Sequence, residues 1–529
     1  MIALRTWQER ALARMSAWDA GSFLLSAAPG AGKTIPSLVF ARRLLDAGVV
    51  TRVHVVCPTT PLTRQWAEAA GRLGVQLAPD AEELQPPRDF HGVAVTYARA
   101  ASSATRWAAQ CGERTLVIAD EAHHLGEELA WGEGFARAFG ATRRWLLLSG
   151  TPFRSDGSPI AGVRYDDGVA VPDVSYSYAD AVRDGICRPV VFVPYDGTLS
   201  WQSGDDVIES SFADVALSGR EASRRYRTAI STELADGLPR ILRAADERLG
   251  EVRAGGHRDA GGLVVTADGG HARRVAALLK EITGCSPTVV VHTDAQAAGK
   301  LRAFGQGRER WIVAVNMVSE GVDIPRLRVG VYATAAKTPL VFRQIVGRFV
   351  RTLAGRPLEH SYLFLPADQL LRAHAAEVEE ELHHVLRAPG EELPEDFDAI
   401  ERRRSEPTEP EAFVPLNADV APQLALFGGG PPPAAVAATA PAVAPPPVAA
   451  AAAEPAFQRR RRLRDKRHGL VVTLAGMEGR SHREINSWLN GEIGAAGVRE
   501  ATIEQLERSI ELLQARLDRI GRRRASRAS

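Results

Sequence analysis

Residues 27–34 read Ala-Ala-Pro-Gly-Ala-Gly-Lys-Thr, after the apolar run Phe23–Ser26 and before a helical pattern carrying Leu38, Val39 and Leu44. A glycine-rich turn from strand to helix lets backbone N–H groups wrap an anion at the positive end of the helix. Gly30, Ala31 and Gly32 supply the wrap. Lys33 is spaced to reach the β- and γ-phosphates of a nucleotide, and the Thr34 hydroxyl to ligate Mg²⁺. Ala27 stands where a stricter loop of this kind has its first glycine. An accidental glycine-rich turn is the alternative, and a second feature is needed to set it aside.

Residues 116–123, Leu-Val-Ile-Ala-Asp-Glu-Ala-His, supply that feature. An apolar strand ends here in two adjacent carboxylates, a costly placement without a cation or a partner. Asp120 is expected to hold Mg²⁺ through its water shell, and Glu121 to polarise an attacking water as general base. An acidic strand end before a plain turn is the competing account, weakened by the loop upstream.

The surrounding chain has the matching rhythm. Short apolar runs at 23–27, 53–57, 115–119 and 145–148 alternate with amphipathic segments, and a second series follows at 262–267, 288–292, 311–315, 329–333 and 361–365. Such runs read as buried parallel strands, and two series predict two α/β domains. A chain of 529 residues has room for both and for more. Residues 196–257 are polar, contain glycines and show no regular pattern. From about residue 387 the composition turns to Glu, Pro and Ala, and the tract 428–455 predicts a disordered linker. Beyond it, Thr502 and Gln505 form a capping box ahead of Ile503, Leu506, Ile510, Leu513, Leu517 and Ile520, one apolar stripe on a helix of about five turns. Ile485, Trp488 and Leu489 predict a shorter helix before it. The expected division is 1–190, 191–385, a linker over 386–456 and a basic helical module over 457–529.

Hydrophobic residues make up 45% and charged residues 24%, ordinary for a globular protein, and the net charge of +1 points to no partner. Local runs at 459–467 and 522–527 are strongly basic. Cys57, Cys111, Cys187 and Cys285 lack CxxC spacing, which suggests buried free thiols in a reducing compartment and no iron–sulfur or zinc cluster. Met1–Gln8 has no apolar signal core, and no run approaches the ~20 apolar residues of a membrane span. The cytoplasm is the expected compartment, with no membrane partner.

Asp120-Glu121-Ala122-His123 resembles the DEAH form of motif II in superfamily 2 helicases, and the loop resembles that superfamily's AxxGxGKT, alanine included. Other motifs follow in family order over residues 1 to about 385. Arg5-Thr6-Trp7-Gln8 resembles the upstream motif in which Gln8 would read the adenine edge. Cys57-Pro58-Thr59 with Leu62, Gln65 and Trp66 resembles motif Ia, and Thr96-Tyr97 falls at a further strand-contacting motif. Ser149-Gly150-Thr151-Pro152 resembles motif III, which couples the nucleotide site to the nucleic-acid groove. Glu320-Gly321-Val322-Asp323-Ile324-Pro325 is similar to motif V, with Gly321 and Asp323 near the nucleotide. Residues 344–351 are similar to motif VI, QxxGRxxR, in which Arg348 and Arg351 would be arginine fingers. The resemblance implies two tandem RecA-like domains that clamp ATP and Mg²⁺, and an ATP-dependent helicase or translocase. Thr59, Arg64, Thr96 and Thr151 would contact nucleic acid.

The SGTPFR, EGVDIP and QIVGRFVR forms look closest to the group of restriction-enzyme motor subunits and XPB-like DNA helicases, so DNA is favoured over RNA. An RNA helicase, or a defence-complex motor that moves on duplex without unwinding it, is the alternative. A fused nuclease of the D/E-x-K type has no half-site: the residues two before the five lysines are Ala31, Leu278, Ala298, Ala335 and Arg464. A nuclease or methyltransferase would have to be a separate subunit. A non-catalytic relative would have lost Lys33, Glu121 or the motif VI arginines, and all are present. For the C-terminal module three roles compete: a nucleic-acid grip, a docking helix for a partner, and a self-contained helical hairpin.

Overall fold

The computed structural model describes residues 3–528 apart from 80–85, 127–128, 151–159, 167–168, 204–205, 215–216, 218, 292–293, 295, 316–323, 354–358, 387–412 and 423–453. They form two compact units: Met1–Ala27, Gly32–Ser175 and Pro446–Ser529 in one, Ala28–Ala31 and Tyr176–Pro445 in the other. The second begins at Tyr176, whereas the sequence pattern put the division after residue 190.

The first unit runs α1 (Thr6–Ser16), β1 (Gly21–Ala27), α2 (Thr34–Asp46), β2 (Arg52–Cys57), α3 (Thr60–Arg72), β3 (Leu77–Pro79), β4 (Gly92–Thr96), α4 (Tyr97–Ser102), α5 (Ala104–Gln110), β5 (Thr115–Asp120), a 3-10 turn (Ala122–Gly126), α6 (Leu129–Phe139) and β6 (Arg144–Ser149). A small ribbon, β7 (Tyr165–Asp166) and β8 (Val169–Ala170), precedes β9 (Val174–Tyr176). The sheet order is β3-β4-β2-β5-β6-β1-β9, and the pairs from β3 through β1 are parallel. Every residue of β5 is buried, which is why it reads as an unbroken apolar run rather than an alternating one. Strands β4, β2, β5, β6 and β1 end in Thr96, Cys57, Asp120, Ser149 and Ala27, so one rim of the sheet collects the expected site. Ligands in open α/β sheets bind at this carboxyl rim.

The second unit contains α7 (Tyr178–Arg183), β10 (Val190–Ser203), β11 (Asp206–Ser210), α8 (Gly219–Ala229), α9 (Leu238–Ala254), β12 (Gly261–Thr266), α10 (Gly269–Thr283), β13 (Thr288–Val290), α11 (Ala297–Gln306), β14 (Trp311–Val315), β15 (Leu327–Ala333), α12 (Pro339–Phe349), β16 (Ser361–Pro366), α13 (Gln369–Leu386) and β17 (Phe413–Pro422). Its sheet runs β11-β10-β16-β15-β12-β14-β13, with β17 added to β10. The two tandem sheets are the RecA-like α/β pair that the motif order implied.

Three features differ from the sequence reading. The described residues of 196–257 form regular elements: β10 extends past the parallel sheet and pairs antiparallel with β11 and β17, and α8 and α9 follow. β17 lies inside the stretch read as linker, so that stretch is not structureless throughout. Cys285 is exposed, unlike Cys57, Cys111 and Cys187. No helix among the described residues is long and apolar enough to cross a membrane.

Residues 454–528 make three helices, α14 (Ala456–Glu478), α15 (His482–Ile493) and α16 (Ile503–Ala528). The basic run at 459–467 lies on α14 itself. The Thr502–Gln505 box is formed, with each backbone N–H donating to the other's side chain at 2.9 and 3.2 Å. The stripe is covered from within: Leu513 packs with Val471, Leu474, Ile485 and Leu489, and Leu506 and Ile510 pack with Leu463 and Ala501. The module rests on the first unit, where Asp89 accepts the Ile503 N–H at 3.0 Å and Arg460 lies over the Phe90 ring.

Candidate nucleotide site

The loop at the end of β1 turns through Gly30 (φ +78°) and Gly32 (φ +94°), left-handed conformations that favour glycine. Helix α2 then begins without a side-chain cap and with no acidic residue in its first turn, leaving its positive end open to an anion. Lys33 is buried, its ammonium donating to the Ala27 carbonyl at 3.0 Å. Thr34 opens the helix beside it.

Gln8 is buried in the first turn of α1. Its amide N–H donates to the Gly32 carbonyl at 3.0 Å, and its oxygen accepts the Arg5 N–H at 3.0 Å. The structure therefore places Gln8 against the phosphate loop, tying the chain's start to that loop.

Asp120 ends β5 at 9% exposure. One carboxylate oxygen accepts the Trp66 indole N–H at 2.7 Å and the other the Glu121 N–H at 3.1 Å. Burial, then the neighbouring Glu121 charge, pushes its pKa up to about 6, while the Trp66 hydrogen bond and Lys33 pull it back. The Asp120 carbonyl accepts the Tyr97 hydroxyl at 2.7 Å. Burial first, and then nearby acidic groups, hold Tyr97 well above its ordinary range, so it stays a donor.

Glu121 has φ +50°, alone among the described non-glycine residues in the left-handed region. Such a conformation costs about 1–3 kcal/mol and persists where surrounding structure imposes it. Burial alone would raise its pKa, but Lys33, His123, His124 and a hydrogen bond from the Gly150 N–H outweigh that and hold it below the ordinary value. His123 is buried, 3.6 Å from the Glu121 carboxylate and 3.2 Å from the Ser149 hydroxyl. The end of β6 thus reaches Glu121 through the Gly150 N–H and His123 through Ser149.

The donor set fits a Mg²⁺-bound nucleotide: an anion cradle of positive-φ glycines, a buried ammonium, a hydroxyl at the helix start, and a buried carboxylate whose charge lacks a full counterion. Thr34 and Asp120 are the residues that would hold the metal.

Other expected site residues have mixed placements. Thr59 precedes α3, its hydroxyl buried without a hydrogen-bond partner among the described residues. Arg64 lies on the exposed side of that helix. Thr96 caps α4, accepting the Arg99 N–H at 3.3 Å. Arg348 lies in α12, which Thr338 caps, and Arg351 follows it, paired across a bridge with Cys187. Thr151, Gly321 and Asp323 lie outside the described residues. The sequence reading placed Trp66 and Tyr97 within motifs but missed their hold on Asp120. The available signal was a bulky aromatic with a polar tip at a buried position.

Residues 1–154 match the family model for the type III restriction enzyme, res subunit. The uncharacterized protein Rv2917 of Mycobacterium tuberculosis is 42% identical over 438 residues, covering 80% of this chain and 72% of the relative. The uncharacterized protein ML1624 of Mycobacterium leprae is 40% identical over 398 residues, covering 74% of this chain and 66% of the relative. Among solved structures, a fragment assigned as an HsdR subunit of a type I restriction enzyme from Vibrio vulnificus YJ016 aligns with a TM-score of 0.50 at 16% identity. That alignment covers 71% of this chain and 66% of the fragment, a likeness of fold.

Proposed function

The chain belongs to one family with the mycobacterial relatives, within the superfamily 2 helicase-type ATPases, and on that premise we propose that it is an ATP-dependent motor on DNA. The observation that carries the reading is the meeting of the Lys33 loop with the strained, charged turn at Asp120–Glu121. A structural turn would not retain a buried aspartate beside a left-handed, ionised glutamate.

In this reading Lys33 and the open start of α2 bind the terminal phosphates of ATP. Mg²⁺, held by Thr34 and Asp120, supplies positive charge to the phosphoryl oxygens when bound. Glu121 stays ionised under Lys33 and the Gly150 N–H, and it orients the attacking water and takes its proton. Arg348 and Arg351 stabilise charge on the transferring group, and Gly321 and Asp323 lie near the nucleotide. Thr59, Arg64, Thr96 and Thr151 hold the phosphate backbone without reading sequence. The restriction-enzyme family match over residues 1–154 supports DNA as the track.

Phosphate release measured with single-stranded DNA, duplex DNA and RNA tests the proposal. Stimulation by DNA is expected. Equal rates with and without every nucleic acid refute the motor, and stronger stimulation by RNA transfers the reading to an RNA helicase. Strand separation compared with triplex displacement on the same preparation distinguishes unwinding from movement along duplex.

A further inference from the structure

Asp120 is gripped from two sides by elements that begin at the expected nucleic-acid contacts. Helix α3 starts directly after Thr59, and its inward face carries Thr63, Trp66, Ala67 and Ala70. From that face the Trp66 indole N–H donates to the Asp120 carboxylate at 2.7 Å. Helix α4 starts at Tyr97, directly after Thr96, and the Tyr97 hydroxyl donates to the Asp120 carbonyl at 2.7 Å. Trp66 and Tyr97 are 2% and 1% exposed, so neither bond competes with solvent. Packing alone does not require them. Trp107 is fully buried in the same unit, and its indole N–H has no partner among the described residues, so an unsatisfied indole is tolerated there.

Resting on the motor reading above, we infer that Trp66 and Tyr97 are positioning residues that relay nucleic-acid engagement at α3 and α4 to Asp120. A strand seated at Thr59 and Thr96 fixes the starts of both helices. Because Trp66 lies two turns into α3 and Tyr97 opens α4, fixing the helices fixes both donors. The carboxylate then points where Mg²⁺·nucleotide needs it. The same bonds run in reverse, since linkage makes nucleotide tighten the strand by the factor with which the strand tightens nucleotide.

The test is a coupling measurement without hydrolysis. The affinity of the full chain for a labelled single-stranded DNA oligonucleotide is measured by anisotropy, with and without Mg²⁺ and a non-hydrolysable ATP analogue. Tyr97→Phe removes one donor while keeping its ring, Trp66→Phe removes the other while keeping an aromatic group, and Trp107→Phe is the control. Wild-type and Trp107→Phe should show tightening on the order of tenfold, within the usual range of coupled sites. In Trp66→Phe and Tyr97→Phe the factor should fall toward one, while oligonucleotide affinity without nucleotide stays within about twofold of wild type. A factor that stays at the wild-type value in either variant overturns that residue's part in the relay. Equal loss in Trp107→Phe makes the effect one of general packing and overturns the relay as a whole. If wild type itself binds neither DNA nor nucleotide, the motor reading fails, a separate outcome. Tyr97→Phe loses a single oxygen, so the relay stays testable even if Trp66→Phe does not fold.

Discussion

Acid should weaken the first unit through one buried imidazole. His54 sits at 4% exposure in β2, between β4 and β5, with its ring 5.1 Å from that of Trp107. Its Nδ1 accepts the Val93 N–H at 3.4 Å, which suits the neutral ring. Burial, then the charge on Arg52, lowers its pKa from 6.5 to about 3. The unfolded chain therefore takes up a proton below about pH 6.5, and the folded chain does so only near pH 3. In that window the unfolded state binds more protons, so stability falls as pH falls, by up to about 1.4 kcal/mol per unit and about 5 kcal/mol in all. Above pH 7 the residue contributes no pH dependence. Urea unfolding at pH 7 and pH 5 on wild type and His54→Phe isolates it, because other titrating groups are common to both. The gap between the two should move by about 2 kcal/mol in the variant's favour on acidification. A gap that is the same at both pH values refutes the assignment of His54 as a buried neutral ring.

Three further outcomes are expected. Lys33→Ala should lose ATP-analogue binding and turnover, whereas Glu121→Gln should still bind the analogue but release no phosphate; wild-type release by Glu121→Gln contradicts its role as base. Arg348→Ala and Arg351→Ala should each lower nucleic-acid-stimulated kcat by roughly 10³–10⁵, the worth of arginine fingers in related chemistry, with a far smaller change in ATP affinity; unchanged kcat with lost ATP binding would place them elsewhere. Deleting residues 457–529 should leave ATPase in place and the salt slope of DNA affinity nearly unaltered. The reason is that Arg459 pairs with Glu507 and Arg467 bonds Ser509 and Asn486 inside the module, while Arg462 pairs with Glu454 just ahead of it. A slope flattened by several units would instead restore the module as a grip.

The parallel strands were legible because burial on both faces writes them as apolar runs; β1, β2, β5 and β6 fall within a residue or two of the runs that announced them. The antiparallel additions were not. In β17, Ala418 and Val420 are buried while Val414 and Leu416 are exposed, and prolines 415 and 422 suggest a break. Only pairing with the extension of β10 makes that segment a strand, and such pairing is not written locally. Helix α8 hid for a related reason, since its inward face carries Arg224 and Arg225, buried through bonds to Glu221 and to the Ser211 and Asp214 carbonyls. A polar face buried by specific partners has no hydrophobic period to read.

The candidate site was legible for a different reason: there the chain departs from what stability alone favours. Glu121 holds a conformation that glycine would adopt without strain, and Asp120 carries a buried charge that asparagine would not. Each departure has a substitution that would relieve it, and the sequence makes none of them. Departures of this kind mark residues kept for chemistry rather than folding. What the residues could not reveal is how that chemistry is coupled, because the bonds from Trp66 and Tyr97 to Asp120 join positions 54 and 23 residues apart. Spacing specifies the groups a strand end presents. Their partners come from the helices that the sheet order happens to bring alongside, and these partners decide whether the carboxylate answers to the strand.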